Sequence, residues 1–411
     1  MSGALDVTIP VPSAPSRLVI IPVLGLTQIF AWGSSYYLPA VLAKPIAGET
    51  GWSLSWVVGG VSLGLLIAGL VSPWVGRAIA RRGGRPVLAV SAGLLAAGLM
   101  TCALAHSLPV YLSAWLTIGL GMGAGLYDPA FATLGRLYGH GGRSAITTLT
   151  LFGGFASTIC WPLSAFLEAH LGWRGACLVY AGFQLAVALP AYLFVLPRER
   201  PRFAPRPASP APARAQPDFA GSALLLLLAA TITLSSVIST TLSVHLLTVL
   251  QAKGLTLAAA VSLGALVGPS QVAARTVEIV IAHRHHPIWT LIVSALLVAA
   301  GLAALWIGTP MIPLAIALYG AGIGLGSIAR GTLPLAIFGP ERYPVIMGRI
   351  AMPSLIAQAA APSIGTALLE TGGLDGALGA FAASAAVNVL LAAGLFLTLR
   401  ASSKVGPATV V

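Results

Sequence analysis

The chain contains its own architecture twice. Gly119, Gly121, Gly123 and Gly125 recur as Gly320, Gly322, Gly324 and Gly326, an offset of 201 residues in a chain of 411. The same offset carries Pro86 to Pro287, and Gly172-Trp173-Arg174-Gly175-Ala176 to Gly373-Leu374-Asp375-Gly376-Ala377. Landmarks at one spacing over half a chain mark duplication of a large unit, not a short solenoid repeat.

That unit is helical and lies in lipid. Only 8% of the residues are charged and 57% are hydrophobic, against roughly 25% charged in a soluble domain. Water cannot be the solvent for most of this surface. With about 20 apolar residues needed per crossing, the pattern predicts twelve spans: 18–43, 53–75, 86–105, 108–136, 144–168, 173–196, 219–250, 255–282, 287–307, 309–337, 345–369 and 373–399. The expected fold is an all-α polytopic membrane protein. Two pseudo-symmetric six-helix bundles, 18–196 and 219–400, are joined by a linker at 197–218, with tails at 1–17 and 401–411.

The net charge of +12 suggests nucleic acid, but its placement does not. Lys44, Arg174 and Lys253 fall on one side of the spans, and Arg275 and Arg330 inside them. That leaves 17 of the 22 Lys and Arg in the loops, tails and span ends of the other side, Arg136 and Arg349 at span ends among them. Short loops with such an excess stay in the cytoplasm, so both termini are expected there and no nucleic-acid partner is implied. Residues 1–17 show no basic stretch before an apolar core and no evident cleavage site, so a removed signal peptide is not expected. Cys102, Cys160 and Cys177 lie in apolar spans and read as small buried hydrophobes.

From Pro197 to Pro217 the chain is rich in Pro, Ala, Ser and Arg, the composition of an extended tether. The other loops are short, and no Gly-x-x-x-x-Gly-Lys-Ser/Thr sequence occurs, which argues against an ATP-driven machine. No His-Glu-x-x-His or Gly-x-Ser-x-Gly motif supports a zinc protease or serine hydrolase, so an enzyme is not expected. Gly119 with Gly123 and Gly320 with Gly324 form faces for close helix approach. Two repeated helical halves in a bilayer place a binding site between them near the midplane, where rocking exposes it to either side. That is the architecture of a secondary transporter.

Gly76-Arg77-Ala78-Ile79-Ala80-Arg81-Arg82-Gly83-Gly84-Arg85 resembles the Gly-x-x-x-Asp-Arg-x-Gly-Arg-Arg loop of the major facilitator superfamily. Gly76, Arg81, Gly83 and Arg85 match, and Ala80 stands at the acidic position. Within that superfamily several segments look like the monocarboxylate transporter branch. Gly172-Trp173-Arg174-Gly175-Ala176 is similar to a motif before its sixth span, and Gly119 to Tyr127, Pro129, Tyr138, Arg143 and Gly153-Gly154 to its fourth and fifth. Gln271-Val272-Ala273-Ala274-Arg275 resembles an Asp-x-x-x-Arg signature whose arginine is implicated in binding carboxylate, with Gln271 in place of the acid. Ser35-Tyr36-Tyr37-Leu38-Pro39-Ala40 resembles the first span, with Ala40 where some members carry lysine. Drug–proton antiporters usually have an arginine near position 115; here it is Trp115.

Asp128, Arg275, Glu278 and Arg330 are the ionisable residues that stand out within spans. A charge there costs about 2.5–3.5 kcal/mol even on an insertion scale, so each needs a partner, water or a function. Arg275 reads either as snorkelling to the headgroups or, as the resemblance implies, as a carboxylate anchor. Glu278, three residues on, reads as a coupling group or as the partner of Arg275. Asp128 and Arg330 occupy equivalent depths in the two repeats and either meet across the interface or pair separately. Gln271, Ser35, Tyr36, Tyr37 and Tyr127 complete the expected substrate site together with Arg275 and Arg330. Asp128, Arg330, Glu278, Arg81 and Arg85 form the expected gating or coupling set. The seventh span adds Ser235, Ser236, Ser239, Thr240 and Thr241, and His283, His285 and His286 read as a solvated loop, not a metal site.

The expected activity is secondary active or facilitative transport of a small organic anion, a monocarboxylate by resemblance, through alternating access. The expected setting is a monomer in the inner or plasma membrane, with lipid around it, protons as a candidate co-substrate, and no cofactor or metal. Efflux of amphipathic drug-like compounds is the alternative, and a non-transporting membrane sensor the alternative of another class.

Overall fold

The computed structural model describes residues 16–199, 219–308 and 310–405; most of the expected linker and tails lies outside them. The described residues are helices joined by short turns, with no strand among them. The first span is split into α1 (Arg17–Gly33) and α2 (Leu38–Thr50). The next two, α3 (Leu54–Arg82) and α4 (Gly84–Ala103), run unbroken. The fourth is α5 (Leu108–Gly125) and α6 (Tyr127–Tyr138). The fifth starts as α7 (Gly142–Gly154) and continues in α8 (Ala156–Phe183), which turns at Gly172 into the sixth. A π-helical turn and α9 (Leu189–Phe194) finish that span. In the second half, α10 (Phe219–Ala252) is continuous, and α11 (Leu257–Gly264) and α12 (Val267–Ile281) form the eighth span. Then come α13 (Pro287–Ile307) and α14 (Ile312–Val405), which holds the last three spans.

A straight helix as long as α14, 94 residues, would measure about 140 Å at 1.5 Å per residue, against a hydrocarbon core of roughly 30 Å. Gly339 and Gly373 turn it back, with φ of 71° and 61°, a left-handed conformation that glycine alone adopts freely. Gly172 does the same in the first half at φ 67°. Since Gly172 and Gly373 are partners in the repeat, the turns are duplicated along with the sequence. Eight stretches are long and apolar enough to cross a membrane. The longest two each contain three segments divided at such glycines, Gly139 with Gly172 and Gly339 with Gly373, which gives twelve crossings among the described residues.

Four spans expected to be continuous are interrupted: at Ser34–Tyr37, at Leu126, at Phe155, and at Ala265–Leu266. Pro39, Pro129 and Pro269 each stand in the first turn of the helix that resumes, where a missing N–H removes no helical bond. In lipid the groups freed by a break need partners from the protein. Gln28 Nε2 donates to Gly125 O at 2.6 Å, and Gln184 Nε2 to Ser34 Oγ at 3.2 Å. The breaks are therefore built into the packing.

The repeated glycines make the same close approach twice. A methyl group on Gly119 would come within 2.6 Å of Gly64 O, and one on Gly320 within 2.8 Å of Val267 O. The first contact sets α5 on α3; the second braces α12, which carries Arg275. Trp115, fully buried, fills the space against Gly60 and Gly64. At the end far from the arginine-rich loops, Trp173 Nε1 and Arg174 Nε grip Glu49 at 2.7 and 3.0 Å, so the Gly-Trp-Arg-Gly-Ala segment is a structural clasp.

The halves meet most closely at the arginine-rich end. Gly76 of α3 packs backbone to backbone against Pro344 and Gly348. Tyr343 lies against Gly135 and donates to Gly331 O at 2.6 Å. The space left between Ser72, Gly76, Asp128 and Gly348 is about 10 Å³, at the lower limit for one water. This end is sealed.

Candidate substrate-binding site and gate

Arg275 lies on α12 with 4% of its surface exposed. Its NH1 donates to Thr150 O at 2.8 Å on the opposite half, its NH2 to Gln271 Oε1 at 3.1 Å, and its Nε to Gly324 O at 3.4 Å. All three acceptors are neutral, and no acidic side chain pairs with it among the described residues. A guanidinium has five N–H donors, so two are left over. Neither snorkelling nor pairing with Glu278 describes this residue: it points into the interface, and its charge is uncompensated there. Gln271 fixes the fork from one turn before.

Opposite it stands an aromatic wall built on the helix breaks. Gly153 and Gly154, at the end of α7, leave room for the Tyr127 ring and the Arg275 guanidinium respectively. Tyr127 starts α6, and Tyr36 and Tyr37 emerge from the gap between α1 and α2. Tyr36 lies against Thr240 of the second half. Trp32, which sequence reading passed over, packs between them, with ring centroids 5.0 Å from Tyr127 and 5.4 Å from Tyr36. The Ser35 hydroxyl, in the same gap, donates back to Ala31 O of α1 at 2.5 Å.

Two ion pairs bridge the halves. Asp128, in the first turn of α6, where the helix dipole favours an anion, takes Arg330 Nε at 2.9 Å and NH2 at 2.8 Å. Arg330 NH1 adds Ser236 Oγ at 3.1 Å and Ser354 Oγ at 2.9 Å. The separate pairing of each within its own half does not occur. With four bonds made, Arg330 has little left for a substrate in this state. Glu278 meets Arg143 of the first half at 3.6 Å, His285 Nε2 at 3.3 Å and Thr290 Oγ1 at 2.7 Å. His285 is thus tied to the Glu278 carboxylate and Thr290, not left as solvated loop, because the turn before α13 folds back on α12. Ser239 O and the side chains of Ser235 and Thr241 bond within the second half.

Arg81 is exposed, and Arg85 lines a surface depression with Arg82, Arg198 and Glu199. Neither reaches across the interface. Near Ala80, Glu199 pairs with Arg136 and accepts from Gly84 N at 3.4 Å, all within the first half. Arg136 in turn donates to Ala80 O.

Twelve helical crossings among the described residues, in two repeated halves bridged by ion pairs, are the build of a membrane transporter, not an enzyme. The sequence profile of the Major Facilitator Superfamily matches residues 24–280, and the chain belongs to that superfamily. It is 34% identical over 128 residues to monocarboxylate transporter 11 of Mus musculus, covering 30% of this chain and 28% of that protein. The chain therefore matches less than a third of that relative's length. Among solved structures it resembles the human organic anion transporter MFSD10 (TM-score 0.73, 15% identity, 92% of this chain and 100% of that one). It also resembles the E. coli fucose:proton symporter FucP (TM-score 0.68, 15% identity, 92% and 99%). A structure of FucP in the outward conformation gives a TM-score of 0.70 at 14% identity, again over 92% and 99%. At these identities the likeness is one of fold.

Proposed function

We propose that this transporter carries small organic anions, monocarboxylates first, by alternating access in the inner or plasma membrane, with both termini in the cytoplasm. One observation carries the reading: Arg275 is buried between the halves with no acidic partner among the described residues and two N–H donors to spare. A buried cation held this way needs an anion, and the guanidinium fork suits a carboxylate. The relative named as a monocarboxylate transporter and the neighbour named as an organic anion transporter point the same way. On this reading the Asp128–Arg330 pair is the gate, closed at the cytoplasmic end and parted when that end opens. Glu278, facing Arg143 across the halves, belongs with that pair to the gating or coupling set. The unit is a monomer of two bundles, 18–196 and 219–400, tethered through 197–218.

Uptake of radiolabelled carboxylates into proteoliposomes tests the anchor. Arg275→Lys keeps the charge but loses the fork, so uptake should fall about tenfold or more, and Arg275→Ala should abolish it. Carboxylate uptake by Arg275→Ala at near wild-type affinity would overturn the assignment.

A further inference from the structure

The wall facing Arg275 is more aromatic than a two- or three-carbon acid requires. Trp32 lies at its centre, 5.0 Å from Tyr127 and 6.1 Å from Tyr37, ring to ring. Its indole Nε1 is buried without a hydrogen-bond partner among the described residues, which native proteins rarely tolerate unless something else fills the role. The hydroxyls of Tyr37 and Tyr127 make no hydrogen bond to protein among the described residues, and both lie within reach of the Arg275 charge. Gly153 faces Tyr127 and its neighbour Gly154 faces Arg275, so wall and anchor adjoin. A lactate-sized anion held by Arg275 would leave the indole N–H unanswered. A planar ring fits better, because aromatic rings prefer centroid spacings of about 4.5–7 Å, the spacing this wall already uses.

We propose that the substrate is an aryl carboxylate bearing a hydroxyl on its ring. Its carboxylate sits on Arg275, its ring against Trp32, Tyr37 and Tyr127, and its hydroxyl oxygen accepts from Trp32 Nε1. This rests on the carboxylate reading above and narrows it.

The test uses the full-length protein in proteoliposomes with radiolabelled lactate, benzoate, 4-hydroxybenzoate and cyclohexanecarboxylate. The expected order of apparent affinity places 4-hydroxybenzoate first, then benzoate. Cyclohexanecarboxylate follows about tenfold behind benzoate, and lactate comes last. Trp32→Phe keeps a ring and removes the N–H, so the gap between 4-hydroxybenzoate and benzoate should close while benzoate stays ahead of cyclohexanecarboxylate. Trp32→Leu should remove that second gap as well. Because each result is a ratio of substrates on one variant, a lower yield of folded protein cancels. Equal affinity for benzoate and cyclohexanecarboxylate, with lactate uptake still dependent on Arg275, overturns the aryl assignment and leaves the carboxylate reading intact. Wild-type protein that takes up none of the four, or uptake indifferent to Arg275→Ala, overturns both.

Discussion

The two ion pairs that join the halves are built in opposite senses. At Asp128–Arg330 the first half gives the acid and the second the arginine; at Arg143–Glu278 the roles are exchanged. The first is a two-pronged contact at 2.8 and 2.9 Å, buttressed by Ser236 and Ser354, with 12% and 14% of the acid and arginine side chains exposed. The second is a single contact at 3.6 Å, and its acid is shared with His285 and Thr290. A forked pair has one good geometry and loses nearly all its energy when it parts. A shared acid can pass between partners, so its contribution is graded. The first arrangement suits a switch and the second a trim.

Breaking that comparison at its strong side should give the largest effect. Asp128→Asn strands a buried arginine, and removing one partner of a buried pair costs about 3–5 kcal/mol. Swinging a two-state equilibrium from 1:99 to 99:1 takes about 5.5 kcal/mol, so this one substitution covers most of the range. Transport should nearly vanish, and the exchange Asp128→Arg with Arg330→Asp should recover part of it. Additive losses in a double-mutant cycle, with no recovery by the exchange, would make these two independent residues.

Glu278→Gln comes next. It keeps the shape and a hydrogen bond to Thr290 while removing the charge that faces Arg143, whose NH1 still has His285 O at 2.6 Å. A shift of about 1–2 kcal/mol toward opening is expected. Spin labels at the exposed positions Arg82 and Arg342, one on each half of the sealed end, should report a larger share of long distances. An unchanged distance distribution would show that this pair does not bear on closure.

The smallest effect should come from pH. His286 Nδ1 accepts from Ile288 N at 3.2 Å, which needs a neutral ring. Partial desolvation, then the charges of Arg143 and His285, hold its pKa below the ordinary 6.5. Arg143 lies on the other half, so its share of the lowering is lost when the halves part, and the closed state binds fewer protons than the open one. Closure is therefore unpenalised above about pH 6.5 and weakens as pH falls below that value. His286→Asn, which keeps a capping acceptor without a titrating ring, should flatten this slope in the same spin-label experiment. A slope unaltered by the substitution would show that His286 does not set it.

The duplicated turns were legible because glycine at a left-handed position has few substitutes: Gly172 and Gly373 are visible both as sequence and as φ. The charge bridge was half legible. The repeat offset put Asp128 and Arg330 at one depth, but nothing local could say that they share a space. Helix interruptions escaped notice because hydropathy is blind to them; an apolar stretch reads the same whole or split. Pro39, Pro129 and Pro269 were the available signal, since proline in a first turn marks where a helix starts. Trp32 gave no signal of its own, as tryptophan in an apolar span ordinarily packs, and only its spacing to Tyr36 and Tyr37 hinted otherwise. Arg143 carries part of the family resemblance, yet its partner lies 135 residues away on the other half, beyond any local pattern.

The contact of Gly76 with Pro344 and Gly348 has an evolutionary consequence. Ion pairs can be strengthened, weakened or exchanged by single substitutions, and an aromatic wall can be resurfaced for a new ligand. Where backbone touches backbone across two glycines there is no smaller residue to try. Descendants of this chain can diverge in what they carry and in how readily they turn over. The seam itself can drift in one direction only, toward a molecule that closes less well.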